Sequence, residues 1–363
     1  MKTQLFSTKT LKTSLVRDVA AIALPKGRRV GTEGHARVLD FLVGRLGELG
    51  CIPYAGDSFR LPYEREGISF CNAVGVLPGR DRSSPPLLVG AHYDSVIDAP
   101  CADDNAAAVA IALAAAEMSA GSLERDLVVA IFDAEEPPHF MSESMGSQRF
   151  YHDQRDERGF HAAIIMDLVG HDVSLTGKTL THIPGIGPLL GRLPGFKNKD
   201  ISLPLLHPLL FITGAESHPR LSSVLDTVGP QDGLKIVSTL NRYIGDMSDH
   251  GVFRENGVPY FFLSCGRWEH YHSPTDTPDR LNYRKMASIT RQVTALLGEL
   301  DSQELERTGN KETISETLEM EVASLRSSLS FLWPYLLRRA GLDEVRTRKD
   351  MDKLVGEILS FGL

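Results

Sequence analysis

Leu127-Val128-Val129-Ala130-Ile131-Phe132-Asp133-Ala134-Glu135-Glu136 is an apolar run that ends in acids. A run of this length, rich in β-branched residues, reads as a strand buried on both faces, the kind found inside a parallel sheet. The acids that close it need an outlet, because unpaired buried charge is costly. A metal, a partner base or solvent would serve. Two other runs point to the metal. Leu87-Leu88-Val89-Gly90-Ala91 ends in His92-Tyr93-Asp94-Ser95, followed by Ala102-Asp103-Asp104-Asn105. Ala163-Ile164-Ile165-Met166 ends in Asp167. Each of these strand-like runs ends in side chains able to ligate a cation.

The segments between them have helical character. Residues 34–50 place Val38, Leu39, Phe41, Leu42, Leu46 and Leu49 at helical spacing, with Gly50 suited to close the helix. The alanine-rich stretch 106–116 reads as a buried helix with Asp104 and Asn105 at its N-terminus. Pro137-Pro138 marks a turn, and a helix is expected near 146–154 before the strand at 162–167. This alternation predicts an α/β fold of three layers, a mixed, mostly parallel sheet flanked by helices. Ligands in such sheets collect at the carboxyl ends of the strands, where His92, Glu135, Glu136 and Asp167 fall.

Residues 170–245, rich in Gly, Pro and Leu, read as an insertion with its own helix near 217–226. The core is expected to resume at Ser248-Asp249-His250, with a strand over 259–264, a loop carrying His270 to Thr277, and a helix over 283–300. This divides the chain into a main domain, 1–301, and a helical C-terminal extension, 302–363. In the extension Ile314, Leu318, Val322, Leu325, Leu329 and Leu332 form a helical stripe that Pro334 ends or kinks. The stripe should pack as core or as a dimer interface.

A chain of 363 residues, 42% hydrophobic, can bury a large core. A net charge of −8 without a basic block argues against a nucleic-acid partner. Cys51, Cys71, Cys101 and Cys265 are scattered, so a cysteine zinc knuckle is not expected and free thiols in a reducing compartment are. Arg17 and Asp18 interrupt the only apolar stretch near the N-terminus. A secretory leader is therefore not expected, nor is a membrane span, and the cytoplasm is the expected location.

A hydrolytic metal site needs ligands, an open position and a general base. His92, Asp104, Glu136, Asp167 and His272 lie at strand ends or in adjoining loops, and two histidines with three carboxylates suit zinc in two subsites. Strand alternation turns Glu135 away from its neighbour, which makes it the natural base. Asp94, two residues after His92, is placed to hold that imidazole in one tautomer. Asp249 and His250 read either as hydrogen-bond partners behind the ligands or as substrate contacts. Arg267 and Tyr271 read as surface packing or as contacts to substrate. His139, His152, His161, His207 and His218 are expected to hold no metal, and Cys101 and Cys265 to serve packing.

The ordered motifs His92-Tyr93-Asp94-Ser95, Ala102-Asp103-Asp104-Asn105-Ala106, Asp133-Ala134-Glu135-Glu136, Gly146-Ser147, Asp167, Ser248-Asp249-His250 and Tyr271-His272-Ser273-Pro274-Thr275-Asp276-Thr277 resemble those of the M28 zinc aminopeptidases, as does Arg29-Val30-Gly31-Thr32-Glu33-Gly34-His35. The resemblance covers roughly 25–300 and implies the phosphorylase/hydrolase-like architecture of zinc exopeptidases. It implies two zinc ions per chain, one held by His92 and Asp167, the other by Glu136 and His272, with Asp104 bridging. Asp104 rather than Asp103 is the bridge when the small residues that follow are aligned. The resemblance makes Glu135 the base and Asp94 the orienting acid. This sequence departs from the family at Ala107-Ala108, where Ser-Gly is frequent, and in a longer loop over 137–145.

Removal of N-terminal residues from peptides is the leading expectation. A carboxypeptidase or other amide hydrolase on the same scaffold is close behind. A glutaminyl-cyclase-like acyltransferase with a single zinc is the rival from another class, although those enzymes tend to carry tryptophan where this chain has Tyr271. A binding module without metals is the third reading, and retention of every candidate ligand speaks against it.

Overall fold

The computed structural model describes residues 7–176, 181, 192, 193, 195, 200–305, 313, 314, 316–330 and 332–360. Its strands are β1 Ile52–Pro53, β2 Arg60–Arg65, β3 Ile68–Leu77, β4 Leu87–His92, β5 Leu127–Phe132, β6 Ala162–Met166, β7 Ser174–Thr176, β8 Asp200–Ser202, β9 Leu209–Thr213, β10 Lys235–Ser238 and β11 Tyr260–Ser264. The main sheet runs β1-β3-β5-β4-β6-β11-β9-β10, with β2 paired to β3, while β7 and β8 form a separate ribbon. The inner strands β5, β4, β6 and β11 are parallel to one another. Antiparallel pairs, β3 on β5 and β9 on β11, flank them.

Every residue of β4, β5 and β6 is buried, as strands covered on both faces require. Their side chains divide by alternation. Leu87, Val89, Leu127, Val129, Ile131 and Ile164 enter the core with the helices Thr8–Ile22, Ala108–Ser119 and Tyr283–Ser302. Leu88, Val128, Ala130, Phe132, Ala163 and Ile165 pack on the other face against Phe150, Phe160 and Phe253. Helices on both faces give the three-layer α/β fold that the alternation predicts. The helix Glu33–Glu48 begins at Thr32, whose hydroxyl accepts from the His35 N–H at 3.2 Å, and ends before Gly50, which takes a φ of 76°.

Several expectations change in detail. The helix expected directly after Asp104 and Asn105 starts only at Ala108. Ala102–Ala107 is instead an irregular turn in which Asp104 (φ −110°, ψ 85°) and Asn105 (φ −133°, ψ 32°) leave the helical region. Much of the expected insertion over 170–245 belongs to the core, because β9 pairs with β11 and β10 extends the sheet beyond it. A helix there spans Leu221–Val228. The Gly/Pro-rich segment Pro184-Gly185-Ile186-Gly187-Pro188 lies outside the described residues.

The C-terminal stripe runs through the helix Leu318–Ser328, and two further helices, Trp333–Arg339 and Arg348–Ser360, follow it. Pro334 sits in the first turn of Trp333–Arg339, where its missing N–H leaves no bond unmade. Leu325 and Leu329 are buried in the same core as the sheet. Ser324 and Ser328 donate to the Ile236 carbonyl at 3.1 and 2.6 Å, and the Ser238 N–H donates to Ser324 at 2.6 Å. The stripe thus covers the outer strand of its own chain, and its burial no longer calls for a second subunit. No helix among the described residues is long and apolar enough to cross a membrane.

Candidate metal centre

The candidate ligands converge beyond the carboxyl ends of the parallel strands. His92 is the last residue of β4, Glu135 and Glu136 follow β5, Asp167 follows β6, and His272 lies on the loop after β11. Asp104 reaches them from the turn before the buried helix. Burial of the strands fixes where each chain end emerges, so residues far apart in sequence share one spot.

Two groups result. His92, Asp104 and Asp167 form one, and Asp104, Glu136 and His272 the other; in each, the donor atoms lie within 4.8 Å of one another. His92 Nε2 is 3.4 Å from Asp104 Oδ1 and 3.8 Å from Asp167 Oδ2. His272 Nε2 is 3.2 Å from Asp104 Oδ2 and 3.0 Å from Glu136 Oε2. Asp104 faces both histidines, whereas Asp103 turns to the Gly170 N–H and His171. His92 Nε2, Asp104 Oδ2, Glu136 Oε1, Asp167 Oδ1 and His272 Nε2 are buried with no hydrogen-bond partner. Buried polar atoms are nearly always satisfied, so orphans that point at one another fit a pair of cations. Imidazole with carboxylate suits zinc.

The electrostatics agree. Burial pushes Glu135 well above the ordinary carboxylate range, with the neighbouring acids adding to it. Burial and the nearby Asp104 raise Glu136 to about 7. Burial also raises Asp167. At Asp104 burial acts upward, but His272 and His92 outweigh it and hold the carboxyl below its usual range. Burial disfavours the His272 cation, yet Asp104 and Glu136 hold its pKa up at about 10. Acids this crowded call for positive charge among them.

Glu135 lies outside both groups, its Oε2 3.6 Å from His92 Nε2. Asp94 faces His92 Nδ1 at 3.3 Å and accepts the N–H groups of Glu135 and Glu136 at 3.1 and 3.0 Å. Cys101, Ala134, Leu168 and His272 all hold positive φ, and each is a candidate ligand or lies close to one. Strained backbone of this kind collects at functional sites.

The open alternatives sort themselves. His250 is buried, stacks on Phe262 with centroids 4.0 Å apart, and sits 3.0 Å from the Asn241 side-chain oxygen, away from the ligand groups. Asp249 is buried with both oxygens unpartnered, and burial raises it to about 7. Arg267 pairs with Asp200. Tyr271 is half-exposed and stacks on His272 with centroids 3.7 Å apart. Burial first, then the charges of Asp104, Glu136, Asp167 and Glu135, raises its hydroxyl above the ordinary tyrosine range. His139 lies edge-on to Phe70, and His161 faces the Leu300 carbonyl. Cys101 and Cys265 are buried free thiols. The long loop over 137–145 helps to wall a cavity of about 310 Å³ with Ser147, Ser248 and Val252.

Three supports escaped the sequence reading. Arg28 is fully buried and donates to the carbonyls of Tyr93, Pro100 (2.7 Å), Cys101 (2.9 Å) and Asp104 (3.1 Å). Asp276 accepts the N–H groups of Asp103 (2.9 Å) and Asp104 (3.2 Å). His171 pairs with Asp103. Asp276 lies within a quoted motif and Arg28 one residue before another, but His171 carried no signal beyond standing shortly after Asp167.

The chain belongs to peptidase family M28, a family of metal-dependent hydrolases; the family model matches residues 72–182 and 195–297. It is 29% identical over 227 residues to the uncharacterized protein YfbL of Escherichia coli, a match spanning 59% of this chain and 66% of YfbL, just under two thirds of its length. The fold resembles that of the Legionella pneumophila aminopeptidase LapA, with a TM-score of 0.60, 17% identity, and coverage of 82% of this chain and 74% of that one. It equally resembles the Tannerella forsythia glutaminyl cyclase, with a TM-score of 0.57, 16% identity, and coverage of 82% and 99%. At such identities the likeness is one of fold, and a peptidase and a cyclase share it.

Proposed function

We propose that this protein is a di-zinc metallopeptidase that removes N-terminal residues from peptides. The observation that carries the reading is Asp104, placed between two complete donor groups with one oxygen toward each histidine. His92 and Asp167 would hold one ion, Glu136 and His272 the other, and Asp104 both. When bound, the ions would polarise the scissile carbonyl and ease deprotonation of the attacking water.

The chain's own groups do the rest. Glu135, outside the ligand set yet beside it, takes the proton from the water and passes it to the leaving amine. Cations among these acids would draw its raised pKa back toward neutrality, where a base of this kind works best. Asp94 fixes the His92 imidazole and, through the two backbone N–H groups, the placing of Glu135 and Glu136. Tyr271, stacked on His272, would donate its phenol to the oxyanion of the tetrahedral intermediate. The four unpaired cysteines fit a reducing, cytoplasmic setting.

Glutaminyl-cyclase-like acyl transfer is the second reading, favoured by the fold likeness that covers almost all of the Tannerella forsythia enzyme. Metal-loaded protein assayed on aminoacyl amides and on peptides with N-terminal Gln separates the two. Release of free amino acid supports the peptidase. Conversion of N-terminal Gln without hydrolysis of any amide would replace it with the cyclase.

A further inference from the structure

We infer that His171 is a positioning residue of the metal centre, an imidazole that fastens together the three segments carrying Asp104, Asp167 and His272. The inference rests on the metal-centre reading above. His171 Nδ1 lies 2.6 Å from Asp103 Oδ2, next in the chain to Asp104. Its Nε2 lies 3.1 Å from the carbonyl of Arg267, on the loop that leads to His272. His171 itself follows Asp167 closely, and the Gly170 N–H donates to the other Asp103 oxygen at 2.6 Å.

Both ring nitrogens lie within hydrogen-bond distance of an oxygen, Asp103 Oδ2 and the Arg267 carbonyl, so neither ligand-bearing segment can shift without disturbing a polar contact to the ring. The ring is fully buried and stacks on Trp268, with centroids 4.6 Å apart. Lys285 Nζ donates to the His171 carbonyl at 2.9 Å and fixes its backbone to the helix Tyr283–Ser302. No atom of His171 belongs to either donor group. Its effect is therefore on the spacing of Asp104 relative to Asp167 and His272, which sets how well both subsites fit their ions.

The test is titration of the full-length metal-free chain with Co²⁺ alone, following the visible absorption of the bound ion. His171→Phe keeps an aromatic ring against Trp268 and removes both ring nitrogens. It should weaken Co²⁺ binding about 10- to 100-fold, the usual effect of losing a support behind a ligand, and alter the spectrum. His171→Gln restores a polar amide at the site and should recover part of both. His161→Phe is the control for destabilisation alone, since His161 is also buried and bonded to a carbonyl (Leu300, 3.1 Å) but lies at the far end of β6 from Asp167. It should keep the wild-type affinity and spectrum.

Wild-type behaviour in His171→Phe, or an equal loss in His161→Phe, overturns the inference. If His171→Phe does not fold, His171→Gln decides: weaker binding with an altered spectrum supports the inference, and unchanged binding overturns it. A wild-type chain that binds no Co²⁺ overturns the metal-centre reading itself, a result distinct from unchanged variants of a metal-binding wild type.

Discussion

Asp94 sits 3.3 Å from His92 Nδ1 while its two oxygens accept the N–H groups of Glu135 and Glu136. One buried carboxylate thus orients a candidate ligand on β4 and sets the turn that presents the candidate base and a further ligand after β5. Burial pushes Asp94 upward, but the His92 contact and those N–H groups hold it below the usual carboxylate range. It stays ionised, as an orienting acid must.

Base and ligand should separate by mutation. Glu135→Gln is expected to lower kcat about 10²- to 10⁴-fold, the usual cost of losing a general base, with metal content unchanged. Glu136→Ala should lose at least one metal, because its carboxylate faces His272 at 3.0 Å within a donor group. Elemental analysis beside steady-state kinetics checks both. Near-normal kcat in metal-loaded Glu135→Gln would remove Glu135 from the role of base.

Tyr271 offers a different signature. If its phenol stabilises the intermediate, Tyr271→Phe should lower kcat by about 10², the size of losing one such donor, with little change in KM. Stacking on His272 survives in phenylalanine, so metal content should hold. An unchanged kcat would make Tyr271 a packing residue of the rim.

His250 should behave as a structural histidine. Burial lowers its pKa to about 4, from an ordinary 6.5, so the folded protein keeps it neutral. The unfolded chain binds the proton first, and its contribution to stability is present above pH 6.5 and lost as pH falls toward 4. The full loss is roughly 3 kcal/mol. Denaturant unfolding at pH 7, 5 and 4 should show a steeper acid decline in wild type than in His250→Gln. NMR should find the imidazole still neutral at pH 5; a midpoint near 6.5 would contradict its burial as a neutral ring.

The C-terminal extension should matter for the fold more than for the chemistry. Removing 303–363 uncovers β10 and exposes sheet-side contacts of Leu325 and Leu329. The truncated chain is expected to be less soluble or to associate, while keeping both candidate donor groups, which lie at the ends of β4, β5 and β6, in the turn carrying Asp104 and on the loop after β11. Light scattering and zinc content of both forms check this. Loss of zinc on truncation would mean that the extension supports the site.

The inner strands were legible because burial on both faces leaves a continuous apolar run, and their ends were legible because acids and histidines interrupt it. β9 and β10 were not. They are short, they follow a Pro- and Leu-rich stretch, and their membership of the sheet depends on pairing with β11 and with each other. The candidate ligands followed from order along the chain and from resemblance. Their supports did not, since His171 lies 68 residues from Asp103, and Asp276 lies 173 from that same residue. Such contacts exist only once the sheet has brought its strand ends together. The C-terminal stripe was legible as apolar and its end was legible from Pro334, but helical spacing alone could not tell which surface it covers.

The most direct measurement is the number of zinc ions per chain, by elemental analysis and anomalous scattering at the zinc edge, after metal-free protein is reconstituted with zinc and excess is removed. Two donor groups that share Asp104 require two ions in wild type and fewer than two in Asp104→Ala. A wild-type chain that holds one ion at saturation, or none, would contradict a di-zinc peptidase.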